Sequence, residues 1–159
     1  MKNKGILLLM LLMLVALATQ AQYLHKPGDK ALDFEGVTVN GKPYHLYDSQ
    51  AEHIIICFWS VNCELCHDFI DELRTHVDLK HDYELVSLAL AQSPKEVKKT
   101  ARCLRFHGYH FYDPDGWDSQ PFLDYDVVTT PTVILLDKDK NIIGEAYDWD
   151  EFKELMTHE

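Results

Sequence analysis

Basic side chains are scarce in this 159-residue chain: 15 lysines and arginines stand against 26 acidic residues, for a net charge of −11. That deficit excludes nucleic acid as a partner and opposes docking on an anionic membrane face. Also missing is any apolar run long enough to cross a bilayer. The unbroken run over residues 6–18 has 13 residues, against the roughly 20 that a spanning helix needs. No cysteine follows it, which removes a lipid-anchored form by that route. Internal repeats and low-complexity tracts beyond this run are absent as well, which excludes solenoids and arrays. The nine histidines form no compact ligand set, so composition assigns no metal.

What the N-terminus does contain is an address. Lys2 and Lys4 precede the apolar run, and Thr19-Gln20-Ala21 supplies small residues after it. This is the layout of a secretory signal peptide over residues 1–21, and it predicts export, to the periplasm in a bacterium. An uncleaved membrane-anchored form is the alternative. Cleavage near Ala21 and Gln22 leaves about 138 residues, 22–159, the size of one domain. Loss of Lys2 and Lys4 takes the net charge from −11 to −13, a solubilising surface for an exported domain. The hydrophobic fraction of 47% suffices for a core.

Local patterns then give an order of elements. Pro27-Gly28-Asp29 reads as a loop and Leu32-Asp33-Phe34 as an extended lead-in. Residues 37–39 and 44–47 flank Asn40-Gly41, a pair that tolerates positive φ and predicts a hairpin. Residues 53–59 are apolar on both faces, as in a central strand covered on both sides. Leu65, Phe69, Ile70, Leu73 and Val77 recur at helical spacing over 64–79. Residues 84–90 form the next strand. Ser93 caps, and Pro94 opens, a helix that runs to about His107 and is stopped by Gly108. A short strand at 109–112, the turn Asp113-Pro114-Asp115-Gly116 and one or two helical turns at 119–124 follow. Strands 132–136 and 142–147 form a second hairpin, and 149–156 a closing helix. Strands alternating with helices imply parallel pairing, and the last hairpin adds antiparallel strands. The fold class is α/β: a mixed central sheet with helices on both faces and an N-terminal hairpin.

Chemistry concentrates at Cys63-Glu64-Leu65-Cys66. Two cysteines at this spacing, at the start of a helix that follows a buried strand, can close a small disulfide. The unpaired N–H groups and macrodipole of the helix start also stabilise a thiolate on the first. The residues therefore predict thiol–disulfide exchange, with the Cys63–Cys66 pair as the redox-active group and no other cofactor. A structural bridge and half of a zinc site are the plainer readings, and zinc would need a second ligand pair at short range. Cys57 and Cys103 read as small buried hydrophobes. Strand alternation with Ile55 and Trp59 also allows Cys57 to face Cys66 as a third redox cysteine. His67 can lower a thiolate pKa when protonated or be a surface residue. His76, His81, His107 and His110 read as solvated, and Trp117 and Trp149 as local packing anchors.

The segment Phe58-Trp59-Ser60-Val61-Asn62-Cys63-Glu64-Leu65-Cys66 resembles the active-site segment of the thioredoxin-like superfamily. Val127-Val128-Thr129-Thr130-Pro131-Thr132-Val133 is similar to its cis-proline loop. The stretch from Pro27 to Phe34 with its hairpin, and Leu135 to Ile143, resemble the exported TlpA/ResA-like branch. The resemblance covers the whole mature chain. It implies that Cys63 attacks a substrate disulfide and Cys66 resolves the mixed disulfide. It further implies that Pro131 is cis opposite the dithiol, that Thr130 offers its backbone to substrate, and that Trp59 packs beneath. Partners would be protein thiols and disulfides, with a membrane thiol as electron donor and reduction as the usual task.

Four departures stand out. Glu64-Leu65 replaces Gly-Pro, so the stiffening proline is missing, which points to a less reducing site than thioredoxin. Glu64 also opposes a thiolate on Cys63. Cys57 stands where thioredoxin carries a buried aspartate that assists proton transfer, leaving His67 and Asp68 as the nearest substitutes on the helix. Asn62 occupies a position where the family often has Trp. Two other functions compete. A peroxidase would need a Pro-x-x-x-Thr-x-x pattern before its cysteine, which Ser60, Val61 and Asn62 do not supply. A non-enzymatic module would hold a partner near Pro131, or copper(I) on the soft thiolates.

Overall fold

The computed structural model describes residues 26–79 and 81–157, so the segment read as a signal peptide lies outside the described residues. The first hairpin pairs β1 (Glu35–Val37) with β2 (Pro43–His45), antiparallel and apart from the main sheet. It is shifted from the expected 37–39 and 44–47. Thr38 accepts from Gly41 N at 2.8 Å and donates its own N–H to Lys42 O at 2.9 Å. That makes the turn longer than two residues. Gly41 takes positive φ (78°) and Asn40 does not. Leu46 leaves the ladder for a 3₁₀ turn (Leu46–Asp48) because its side chain is fully buried beneath the sheet.

The main sheet has the order β5-β4-β3-β6-β7. Its strands are β3 (His53–Ser60), β4 (Tyr83–Leu90), β5 (Tyr109–Tyr112), β6 (Thr132–Asp137) and β7 (Ile142–Ala146). β3, β4 and β5 run parallel, and β6 and β7 add antiparallel strands. The helices are α1 (Glu64–His76), α2 (Pro94–Cys103), α3 (Gln120–Asp124) and α4 (Trp149–Thr157). α1 stops at His76, short of Leu79, because Val77 turns extended (φ −117°, ψ 129°). α2 ends at Cys103, where Leu104 caps and Arg105 takes φ 53°. Ser93 Oγ accepts from Glu96 N at 3.3 Å, as its position at the N-cap requires.

The period-2 alternation of β3 divides the core. Ile55, Cys57 and Trp59 pack with Cys66, Phe69, Ile70 and Leu73 of α1, Val97 and Ala101 of α2, and Phe152 of α4. Ile54, Ile56 and Phe58 pack on the opposite face with Ala31, Leu46, Phe122 and Tyr125. The mixed sheet is thus covered on both faces, although α3 and the N-terminal segment, rather than long helices, cover the second. Each such aliphatic or aromatic side chain contributes about 1.5–3 kcal/mol on burial. The six central residues of β3, 54–59, are all 0% exposed. A slip by one residue would exchange Ile55, Cys57 and Trp59 with Ile54, Ile56 and Phe58 and misfit both packed layers, which pins the strand end that carries the dithiol.

Candidate active site

β3 ends at Ser60, and a three-residue turn delivers Cys63 to the N-cap of α1. Its backbone is extended (φ −95°, ψ 111°), and its sulfur takes the place of the usual cap oxygen: Cys66 N–H donates to Cys63 Sγ at 3.1 Å. The chain is in its oxidised form, with Cys63 and Cys66 joined as a disulfide at a Cα–Cα distance of 5.2 Å. Cys63 is half-buried, whereas Cys66, one turn deeper, is 0% exposed. The pair is therefore asymmetric: one sulfur is open to a partner and the other faces the core.

The β6 side closes the site. The Thr130–Pro131 peptide bond is cis, and the Thr130 carbonyl oxygen lies 3.5 Å from Cys63 Sγ. A disulfide sulfur has no hydrogen to donate, so this contact becomes a hydrogen bond only when Cys63 is a thiol. Toward a thiolate the carbonyl is repulsive, while the Cys66 N–H and the helix dipole are attractive. Thr130 is half-buried and Pro131 buried, and the preceding Val128 and Thr129 are exposed. Trp59 is 0% exposed, meets Phe106 edge-on at 5.6 Å and donates its indole N–H to Ser87 Oγ at 3.1 Å. It packs in the cluster that holds Cys66 and presents no exposed surface.

Glu64 is exposed in the first turn of α1, where a carboxylate favours the helix while opposing a thiolate beside it. His67 is half-buried and donates Nε2–H to the Val61 carbonyl at 3.1 Å, which ties the helix to the preceding turn. Asp68 is exposed. Two residues beyond Cys66, it lies about 200° around the helix from that sulfur. Leu65 is 69% and Val128 81% exposed, placing an apolar side chain on each of the two site segments.

The remaining cysteines separate. Cys103 is exposed, not the buried hydrophobe expected, because it falls on the last turn of α2. Cys57 is buried on the Cys66 face of β3, in the same packed cluster. Burial pushes its thiol far above the ordinary range, so it stays protonated. His110 corrects the sequence reading: it is 5% exposed, not solvated. Its Nδ1 lies 2.7 Å from Ser87 Oγ, and its Nε2 lies 2.8 Å from the Phe106 carbonyl. Nothing in the local sequence marks Ser87 as a site residue. The alternation Tyr109-His110-Phe111 could have turned His110 inward, but its partner depends on strand order.

The buried acids predict alkaline sensitivity. Burial raises Cys57, Tyr44 and Tyr125, the second also through the Glu84 carboxylate that its hydroxyl donates to at 2.8 Å. A folded-state pKa above the unfolded one contributes stability that is present below the unfolded value and lost as pH rises through it. Stability is therefore expected to hold to about pH 8.5, the unperturbed thiol value, and to fall by about 2–3 kcal/mol by about pH 10.5 from Cys57 alone. Urea midpoints at the two pH values check this. Cys57→Ala should remove the thiol's share, and an equal fall in that variant would refute the assignment.

The comparisons with known proteins agree with this geometry. The AhpC/TSA family pattern matches residues 27–144. A sequence comparison with curated proteins finds no match. Among solved structures, one similar chain is the C-terminal domain of a protein assigned as a thiol-disulfide oxidoreductase from Bacteroides thetaiotaomicron. It has a TM-score of 0.73 and 15% identity, covering 86% of this chain and 97% of that one. A protein assigned as the thiol:disulfide interchange protein DsbE from Chlorobium tepidum has a TM-score of 0.70 and 20% identity, with 84% and 97% covered. A secreted disulfide oxidoreductase of Mycobacterium tuberculosis has a TM-score of 0.66 and 16% identity, with 79% and 96% covered. The chain belongs to the AhpC/TSA family and carries a thioredoxin-like fold.

Proposed function

We propose that this protein is an exported thiol–disulfide oxidoreductase that reduces disulfides of other proteins. The observation that carries the reading is the asymmetric disulfide: a half-buried Cys63 sulfur capping α1 beside the Thr130 carbonyl, bonded to a fully buried Cys66. In the reduced protein Cys63 is the group a client disulfide can reach, and its attack forms a mixed disulfide. Cys66 then displaces the client, and the Cys63–Cys66 bond reforms. An extended client segment would lie along the Thr130 backbone, as strands do when they add to an exposed main chain.

Electrostatics supports the reducing direction. The potential of a dithiol rises when its reduced form is stabilised. Here the Glu64 carboxylate opposes a Cys63 thiolate, which favours the disulfide and lowers the potential. Recycling then requires an electron donor, for which a membrane thiol is the proposed partner. Export rests on the N-terminal layout of Lys2, Lys4 and residues 6–18, and the secreted Mycobacterium tuberculosis neighbour is consistent with it. Residues 22–159 are read as one domain.

Equilibrium titration of the Cys63–Cys66 pair in a thiol redox buffer tests the proposal. A potential toward the low end of the range from about −270 to about −120 mV, above the thioredoxin value, is the expected result, and one near about −120 mV would make the protein an oxidant. If no reversible disulfide forms, a binding module replaces the enzyme.

A further inference from the structure

Beneath the dithiol the sheet carries a polar row. Strand register sets Cys57 of β3 beside Ser87 of β4, and Ser87 beside His110 of β5. Cys57 and Ser87 are 0% and His110 5% exposed, and among the described residues no carboxylate is fully buried. The hydrogen-bond directions follow from the acceptors. The Phe106 carbonyl only accepts, so His110 Nε2 carries the hydrogen and Nδ1 offers its lone pair. Ser87 therefore donates its O–H to Nδ1 at 2.7 Å and accepts the Trp59 N–H at 3.1 Å. Ser87 Oγ keeps a second lone pair, and Cys57 is its neighbour in strand register.

The buried Cys66 thiol must lose its proton before it can displace a client. Resting on the reading that Cys66 resolves a mixed disulfide, we propose that His110 receives this proton through Cys57 and Ser87. The Cys66 proton passes to the Cys57 sulfur as the Cys57 proton moves to Ser87 Oγ and the Ser87 proton to His110 Nδ1. The Cys66 thiolate then forms the Cys63–Cys66 bond while the bond between Cys63 and the client breaks. In this step the Cys66 sulfur is oxidised, Cys63 stays at the disulfide level, the client sulfur leaves reduced as a thiolate, and His110 later releases its proton to solvent.

The surroundings keep the acceptor ready. Burial lowers the His110 pKa and His107 reinforces this, against the Phe106 carbonyl, so the ring rests neutral with Nδ1 free to accept. The titratable groups facing it are His107 from the preceding turn and, across Ser87, Cys57. α2, packed on β5, presents apolar Val97 and Ala101, and the Phe106 ring lies 5.2 Å from the imidazole.

The test separates the two chemical steps. Reduced protein is mixed with a peptide carrying one disulfide, quenched in acid, alkylated and weighed between pH 5.5 and 8.5, so that mixed-disulfide formation and decay are timed separately. His110→Gln and Ser87→Ala are each expected to slow decay at least about tenfold and to flatten its rise with pH, within the range that proton-transfer groups contribute. Formation should stay within about twofold, and Ser87→Thr, which keeps the hydroxyl, should recover most of the decay rate. Unchanged decay in folded Ser87→Ala protein, or a loss that Ser87→Thr does not restore, overturns the relay, and the Ser87 pair suffices if His110→Gln fails to fold. Failure of the unsubstituted protein to form any mixed disulfide would instead refute thiol exchange itself, and the relay with it.

Discussion

Cys63→Ser should bring disulfide exchange down to the uncatalysed rate, a loss of at least about 10³-fold, because it removes the only sulfur of the pair that a client can reach. Cys66 cannot stand in for it: at 0% exposure it meets a partner only after Cys63 has bound one. Cys66→Ser should behave differently. It keeps the half-buried nucleophile at the helix N-cap, so attack proceeds and a stable mixed disulfide accumulates. The serine hydroxyl cannot displace a thiol from a disulfide at neutral pH. Mass spectrometry of the two variants after incubation with a disulfide peptide checks both results. A trapped adduct on the Cys63→Ser protein in place of the other would reverse the roles assigned to the two cysteines.

Cys57→Asp should accelerate release of the client by at least about tenfold, at a cost in stability. The side chain at this position is fully buried in the cluster that holds Cys66, and Ser87 lies beside it in register. A carboxylate there is a far better base than a thiol that burial holds protonated, and general-base groups contribute about 10²–10⁴-fold. The same burial costs the fold about 1–3 kcal/mol, and the pH dependence has a definite sign. Desolvation raises the folded-state pKa of the new carboxyl above about 3.9. The variant is then closest to the parent below about pH 4 and loses stability as pH rises toward the folded value. Urea midpoints at pH 4 and pH 7, with mixed-disulfide decay at pH 7, test both halves. An unchanged decay rate would sink the argument. In this background His110→Gln should no longer slow decay, since the proton has a nearer acceptor.

Most of the element order was legible because it rests on local patterns. The all-apolar run 53–59 marked the central strand, Ser93-Pro94 the start of α2, and the spacing of Leu65, Phe69, Ile70 and Leu73 the buried stripe of α1. Where boundaries moved, the cause was tertiary. Leu46 left the first hairpin to fill the core under the sheet, and α1 ended at Val77 when its side chain turned inward. Cys103 and His110 were misplaced for a related reason. Their exposure depends on where α2 ends and on which strand lies beside β5, and neither is written in neighbouring residues.

The site divides along the same line. By itself the sequence determined that a dithiol sits where a buried strand meets a helix, and that a Thr-Pro loop precedes a later strand. Both are properties of short segments, set by side-chain periodicity and backbone preference. Only the tertiary structure decided that the Thr130 carbonyl comes within 3.5 Å of a sulfur 67 residues away. It also decided that Cys57, Ser87 and His110, from three strands, share one buried row. Strand order and register arise when both faces of the sheet are packed at once, so long-range neighbours follow from the whole core rather than from any stretch of chain.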